Sequence, residues 1–350
     1  MSFTVTSLPA EYGDSLWIEY GDEEKKNKIL IDGGLKATKQ KILELINRLP
    51  EDERVIELLV ISHIDQDHIE GILEFFDMEE MPVRIKSVWF NGYHHLDNEE
   101  DFGAVQGERL TAAILKKEFS WNPEFNGLAI AVPQSGIPPV IKLEGGMKLT
   151  LLSPTLEKLR LLKPVWEKEV SKAGLIPGFG YEEPEEVDDE ESFGTGILNV
   201  EELAAAAFNE DKREGNGSSI AFIADYEDKS VLFCADAHPT VLLESFEKTG
   251  RPNYNFDMIK ISHHGSHKNT GPKFLNTVKS NNFIISTNGA KYKHPSLEAI
   301  AQIIKLQPGS KRLYFNYNTA FNEMWDDFLL KEKYDYETFY GDNQGITVII

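Results

Sequence analysis

The sequence predicts an α/β protein, and three stretches carry that expectation. Leu58-Leu59-Val60-Ile61 is an unbroken apolar run, as expected of a strand buried on both faces. Beyond the polar turn that follows it, Ile69, Ile72, Leu73 and Phe76 keep the i, i+3, i+4, i+7 spacing of a helix with one buried face. Upstream, a strand through Ile29-Leu30-Ile31 and a helix over 36–49, with Ile42, Leu43, Leu45 and Ile46 facing the sheet, complete a strand–helix–strand unit.

At 350 residues the chain can bury one large core or two modest ones, and 41% hydrophobic with 27% charged residues is ordinary for a folded globular protein. No apolar run is long enough to cross a bilayer, and the N-terminus leads straight into strand-like sequence, so neither a membrane span nor a signal peptide is expected. The single cysteine, Cys234, excludes an internal disulfide and suits a reducing compartment, which makes the cytoplasm the expected location. A formal net charge of −22 repels nucleic acid at long range and argues against a non-specific coating protein, while leaving room for a local cleft of different character.

Taken in order, Phe3-Thr4-Val5 and Leu16-Trp17-Ile18-Glu19-Tyr20 read as strands around a Gly13-Asp14-Ser15 turn, and the third strand ends at Asp32-Gly33-Gly34. After the central helix, a strand from Arg84 to Phe90 opens into a loop carrying His94 and His95, which either line a site or are inert loop residues. A helix is expected over 108–119, then a proline-rich stretch, a hairpin-like pair at 141–143 and 147–154, and another helix over 156–175. The segment 178–197 includes Glu182 to Glu191, where Val187 is the one apolar residue. It is expected to be a mobile insertion, serving either as a solvated loop or as the docking place of a protein partner. Strands at 220–224 and 230–234 then form a hairpin that ends in Asp236, and the strand Met258-Ile259-Lys260-Ile261 ends in His263 and His264.

The chemistry concentrates in the turn His63-Ile64-Asp65-Gln66-Asp67-His68. A divalent metal takes neutral imidazole nitrogens and carboxylate oxygens, held where the fold has already ordered them. Alternation sends His63, Asp65 and Asp67 to one side of an extended turn, while His68 opens the helix and can point back at a second ion. The competing reading is an ordinary strand-to-helix turn whose aspartates cap the helix. The other histidines, among the nine in the chain, fall mostly beside the motifs at 236–238, 263–267 and 294.

This turn resembles the His-x-His-x-Asp-His signature of the metallo-β-lactamase superfamily, with Asp65 in place of the second histidine, as in the branch typified by the soluble domain of the DNA-uptake protein ComEC. Asn216, Ser218 and Ser219, the Asp-ended hairpin, Ser262-His263-His264-Gly265-Ser266 and the His294-Pro295 loop resemble the same branch. The resemblance covers 1–90 and 216–318. It implies a four-layer αββα sandwich forming one domain over 1–350, elaborated at 91–215 and extended at 319–350. It further implies two divalent ions, zinc or manganese, on His63, Asp65, Asp67, His68, Asp236 and His264, with Asp236 bridging. Asp32, Asn216 and Ser266 would support these ligands from behind, and Asp67, His263 and His294 would act in catalysis, His294 reaching over the site.

Two ions sharing a water would depress its pKa from ~15.7 towards ~7, so no serine or cysteine nucleophile is needed. The expected function is a metal-dependent phosphodiesterase or nuclease acting on single-stranded DNA, RNA or nucleotides. The alternatives are an ester, thioester or lactone hydrolase of the same fold, or a metal-binding scaffold that works through a partner.

Overall fold

The run 58–61 is apolar throughout because it serves two cores at once: Leu58 and Val60 face a second sheet, while Leu59 and Ile61 face helices. The computed structural model describes residues 2–22, 24–96, 105–172 and 198–350. The first sheet carries β1 (Ser2–Ser7), β2 (Leu16–Asp22), β3 (Lys25–Ile31), β4 (Val55–Val60) and β5 (Arg84–Trp89). The second carries β6 (Val140–Lys142), β7 (Lys148–Ser153), β8 (Ala221–Tyr226), β9 (Lys229–Phe233), β10 (Met258–Lys260), β11 (Asn282–Ile285), β12 (Lys311–Phe315) and β13 (Tyr336–Tyr340). The last strand, β14 (Ile346–Ile349), returns to the first sheet and pairs antiparallel with β1.

Both sheets are mixed. In the first, β1, β2 and β3 are antiparallel, whereas β3, β4 and β5 run parallel. In the second, β9 through β13 are parallel and β6 through β9 antiparallel. Between the sheets lies a core that includes Val5, Ile18, Ile29, Leu149, Phe222 and Met258. Outside the first sheet, α1 (Thr38–Arg48), α2 (Gln66–Phe76), α3 (Val105–Lys116) and α4 (Leu156–Lys172) bury Ile42, Ile72, Leu110 and Trp166. Outside the second lie α5 (Val200–Ala204), α7 (Pro239–Thr249), α8 (Pro272–Thr277) and α9 (Leu297–Leu306), of which α7, α8 and α9 contribute Leu242, Leu275 and Ile300 to the third apolar layer, while the single turn α6 (Glu214–Gly217) packs against α4. This is the αββα sandwich: three hydrophobic layers separate four layers of structure.

The expected element boundaries shift by a few residues, as at the helix expected over 108–119, which spans Val105–Lys116. The stretch 91–215 supplies β6 and β7 to the second sheet, and the tail 319–350 adds an edge strand to each sheet. The acidic segment 178–197 lies outside the described residues. Among the described residues, no helix is long and apolar enough to cross a membrane.

Candidate metal centre

The parallel strands deliver their C-terminal ends to one edge of the sandwich, where Asp32 follows β3, His63 to His68 follow β4, Asp236 follows β9, and His263 and His264 follow β10. The backbone is strained there: Asp32 (φ 58°), Ala235 (φ 45°), His263 (φ 47°) and His264 (φ 54°) all occupy the left-handed region. Each such residue costs about 1–3 kcal/mol, a cost that surrounding packing sustains mainly at functional sites. The turn after β4 sits tightly on its neighbours. A Cβ at Gly13 would lie 1.8 Å from the carbonyl oxygen of Asp67, so only glycine fits. Asp65 occupies the N-cap position of α2 but makes no capping hydrogen bond with its side chain, which removes the helix-capping explanation for it.

Asp236 Oδ2 is the point on which the histidines converge. The Nε2 atoms of His63, His68, His263 and His264 lie 3.9, 3.4, 3.8 and 3.7 Å from it. Asp67 Oδ2 is 3.2 Å from His264 Nε2 and 3.9 Å from His68 Nε2, and Asp65 Oδ2 is 3.7 Å from His63 Nε2. The opposite ring nitrogens are anchored. His68 Nδ1 donates to Asp32 Oδ2 (2.8 Å), and His264 Nδ1 donates to the carbonyl of Ser286 (2.8 Å). Ser62 Oγ donates to Asp32 Oδ2 (2.7 Å), so it accepts from His63 Nδ1 (3.0 Å). These contacts assign a proton to Nδ1 of all three rings and turn their Nε2 atoms inward.

The Nε2 atoms of His63, His68 and His264 and Oδ1 of Asp236 are buried and make no hydrogen bond among the described residues. A buried polar atom left so costs about 1–3 kcal/mol, and four at one point are not a stable end in themselves. Inward-facing imidazole and carboxylate donors are the chemistry a divalent cation requires, so the residues present fit such an ion. Three groupings, His63–His68–Asp236, Asp67–His68–His264 and Asp14–Asp32–His68, place their ligand-type atoms within 4.8 Å of one another.

The carboxylates around the cluster draw positive charge inward, and without an ion they draw it as protons on the imidazoles. Burial works against the charged forms of His68 and His264, yet the carboxylates outweigh it: Asp236 and Asp32 raise His68, and Asp236 and Asp14 raise His264 to about 10. Burial likewise opposes ionisation of Asp67 and Asp236, but His68 and His264 hold both below the usual carboxylate range. His294 is the opposite case, kept well below its ordinary value by burial and by the neighbouring His263 and His264. Its ring lies 5.4 Å from that of His263, on the wall of a cavity of about 390 Å³ beside the cluster.

Around Asn216 the donors are engaged with each other. Asn216 Nδ2 donates to Asp211 Oδ2 (2.5 Å), and Asn269 Nδ2 donates to the same oxygen (3.3 Å). His263 Nδ1 donates to Asn269 Oδ1 (2.8 Å), and its Nε2 accepts from Arg213 Nη2 (2.7 Å), so both of its nitrogens are held by protein groups. Ser266 Oγ accepts from the backbone N–H of Lys268 (3.2 Å) and serves its own loop. A Cβ at Gly215 would stand 2.7 Å from Asp65 Oδ1, so glycine is what lets α6 close over that carboxylate.

Sequence reasoning left several of these residues unassigned. Lys260 is buried between the sheets and donates to Asp14 Oδ2, whose Oδ1 lies 3.4 Å from His264 Nδ1. A lysine inside Met258-Ile259-Lys260-Ile261 was the available signal. Asp211 and Arg213 carried none. His94 and His95 are not part of the cluster described above: His95 Nδ1 accepts from Gly92 N–H (3.0 Å), its Nε2 donates to the carbonyl of Gly127 (3.2 Å), and His94 packs edge-on against Trp121.

Residues 9–289 match the family model of the metallo-beta-lactamase superfamily. Among solved structures, the chain is similar to the metallo-beta-lactamase fold protein YhfI from Bacillus subtilis, at 10% identity and a TM-score of 0.44 over 100% of both chains. It is also similar to Zn(2+)-bound PqqB from Methylobacterium extorquens, at 8% identity and a TM-score of 0.43 over 99% of each. A long form RNase Z from yeast matches at 12% identity and a TM-score of 0.39, with 100% of this chain aligned to 48% of that one, so this chain spans about half its length. No curated protein sequence matches.

Proposed function

Because the chain belongs to the metallo-β-lactamase superfamily, we propose that it is a dinuclear metal-dependent hydrolase of the ComEC-like branch that cleaves a phosphodiester of nucleic acid or of a nucleotide. The observation that carries this reading is the convergence of four imidazole Nε2 atoms within 3.4 to 3.9 Å of Asp236 Oδ2. In this reading Asp67, His68 and His264 would hold one ion and His63 and Asp65 the other, with Asp236 offering its carboxylate to both. Such ions, when bound, lower the pKa of a coordinated water and polarise a phosphoryl oxygen. Asp32 and Ser62 keep His63 and His68 oriented for this task, and Asp14 with Ser286 does the same for His264. The carboxylates Asp65 and Asp67 make the donor set rich in oxygen, which favours manganese beside zinc. His294 lies on the cavity wall, where its imidazole can hydrogen-bond to a substrate oxygen.

The test is a substrate panel of bis(p-nitrophenyl) phosphate, single-stranded DNA, RNA and a lactone, with zinc and manganese compared. Phosphodiester turnover that disappears in Asp236→Ala is the expected result. Lactone turnover without phosphodiester turnover would replace this reading by that of an ester hydrolase, and no turnover of any substrate would leave a metal-binding scaffold.

A further inference from the structure

We propose that Arg213 is the anion-binding residue of this site, taking a non-bridging oxygen of a phosphoryl group seated in the cavity beside the cluster. The inference rests on the phosphodiester reading above and names the residue that would select for it. Arg213 stands at the N-cap of α6, three positions before Asn216, and sends Nη2 to within 2.7 Å of His263 Nε2. That imidazole nitrogen is itself 3.8 Å from Asp236 Oδ2, so the guanidinium lies one ring away from the carboxylate on which the cluster converges. The cavity of about 390 Å³ opens at this place, with Arg213, Lys268, Tyr292, His263 and His294 on its wall.

The chemistry of Nη2 and the imidazole it meets explains how this one donor can be exchanged to a substrate oxygen. His263 donates through Nδ1 to Asn269, so its Nε2 is a neutral acceptor, and a hydrogen bond from a cation to an anionic oxygen is about twice as strong as one between neutral groups. A phosphoryl oxygen entering the cavity therefore outcompetes the imidazole for Nη2. The planar fork of arginine, permanently charged, matches two oxygens of a phosphodiester, which a neutral ester does not offer. Of the carboxylates on the same wall, Glu210 accepts from Thr240 N–H and Oγ1–H, at 2.8 and 3.0 Å; Asp211 gives Oδ2 to Asn216 and Asn269, while its Oδ1 lies 3.8 Å from Arg213 Nε and so pairs with the other side of the guanidinium from Nη2; Glu214 is the third. When Arg213 moves to the substrate, His263 Nε2 is released towards Asp236, so anion binding and the exposure of that nitrogen are one event.

The experiment compares the metal-loaded wild type with Arg213→Met and Arg213→Lys at equal measured metal content. It reads inorganic phosphate binding by calorimetry, and kcat/KM on bis(p-nitrophenyl) phosphate and on p-nitrophenyl acetate. Arg213→Met is expected to weaken phosphate and lower phosphodiester kcat/KM by about 10–100-fold. The loss on the neutral acetate should be at least about tenfold smaller than on the phosphodiester, and Arg213→Lys should fall between. Phosphate affinity and phosphodiester kcat/KM within about twofold of wild type would overturn the assignment, as would equal losses on both substrates. If the wild type cleaves no phosphodiester, the functional reading fails by itself. The phosphate titration then decides the fate of Arg213: lost binding in Arg213→Met upholds the anion site, and retained binding removes it.

Discussion

Asp32 Oδ2 lies 2.8 Å from His68 Nδ1 and 2.7 Å from Ser62 Oγ, so a single buried carboxylate at the end of β3 sets the ring orientation of two histidines that follow β4. Its other oxygen accepts from the backbone N–H of Ser62 at 2.7 Å, which pins the turn itself. Asp32→Ala is therefore expected to weaken metal binding by about 10–100-fold while the fold persists. Competition against a chelator of known affinity measures this, and an unchanged affinity would mean that the turn holds its rings without Asp32.

The Lys260–Asp14 ion pair has both side chains almost fully buried. Burial opposes the charged lysine, but Asp14 and Asp236 raise its pKa, and burial of Asp14 is in turn outweighed by Lys260 and His264. Removing one partner strands a charge: Lys260→Met should cost ~3–5 kcal/mol in the denaturation of the metal-free protein. The double variant Lys260→Met/Asp14→Leu should recover most of that, since neither partner is left without the other. Additive losses in the double variant would show that the pair is held by something other than mutual charge.

How much of this was legible in the sequence depends on how local each signal is. The run at 58–61 and the periodicity of Ile69, Ile72, Leu73 and Phe76 report burial directly, because each position's polarity is set by the layer it faces. The donor-rich turn 63–68 was readable for the same reason, since its residues are neighbours in sequence. Lys260 and Asp14 become partners only when β10 packs over the turn before β2, 246 positions away in the chain. Arg213 meets His263 across 50 positions, and neither spacing nor composition marks such a meeting beforehand. The strand Tyr336–Tyr340 lies beyond the stretch with a family likeness, and no motif in the sequence marks it.

His95 offers a pH-dependent check on the loop after β5. Burial, helped by the neighbouring His94, lowers its pKa to about 3, whereas in the unfolded chain it protonates near ~6.5. A depressed value means that its contribution to stability is present above about pH 6.5 and is lost as the pH falls from there towards 3. Urea unfolding across pH 4.5–8 should show wild type losing stability on the acid side by up to about 1.4 kcal/mol per pH unit more than His95→Gln. Parallel curves for the two proteins would show that the ring is protonated without cost.

A cluster around Asp236 that binds two divalent ions has a stoichiometry that can be counted. The buried, inward-facing Nε2 atoms of His63, His68 and His264 are expected to hold the ions through mild dialysis. Elemental analysis of protein loaded with zinc or manganese and then dialysed should give about two equivalents per chain, falling to about one in His264→Ala and lower still in Asp236→Ala. A wild-type value well below one equivalent, with the protein folded, would contradict the account.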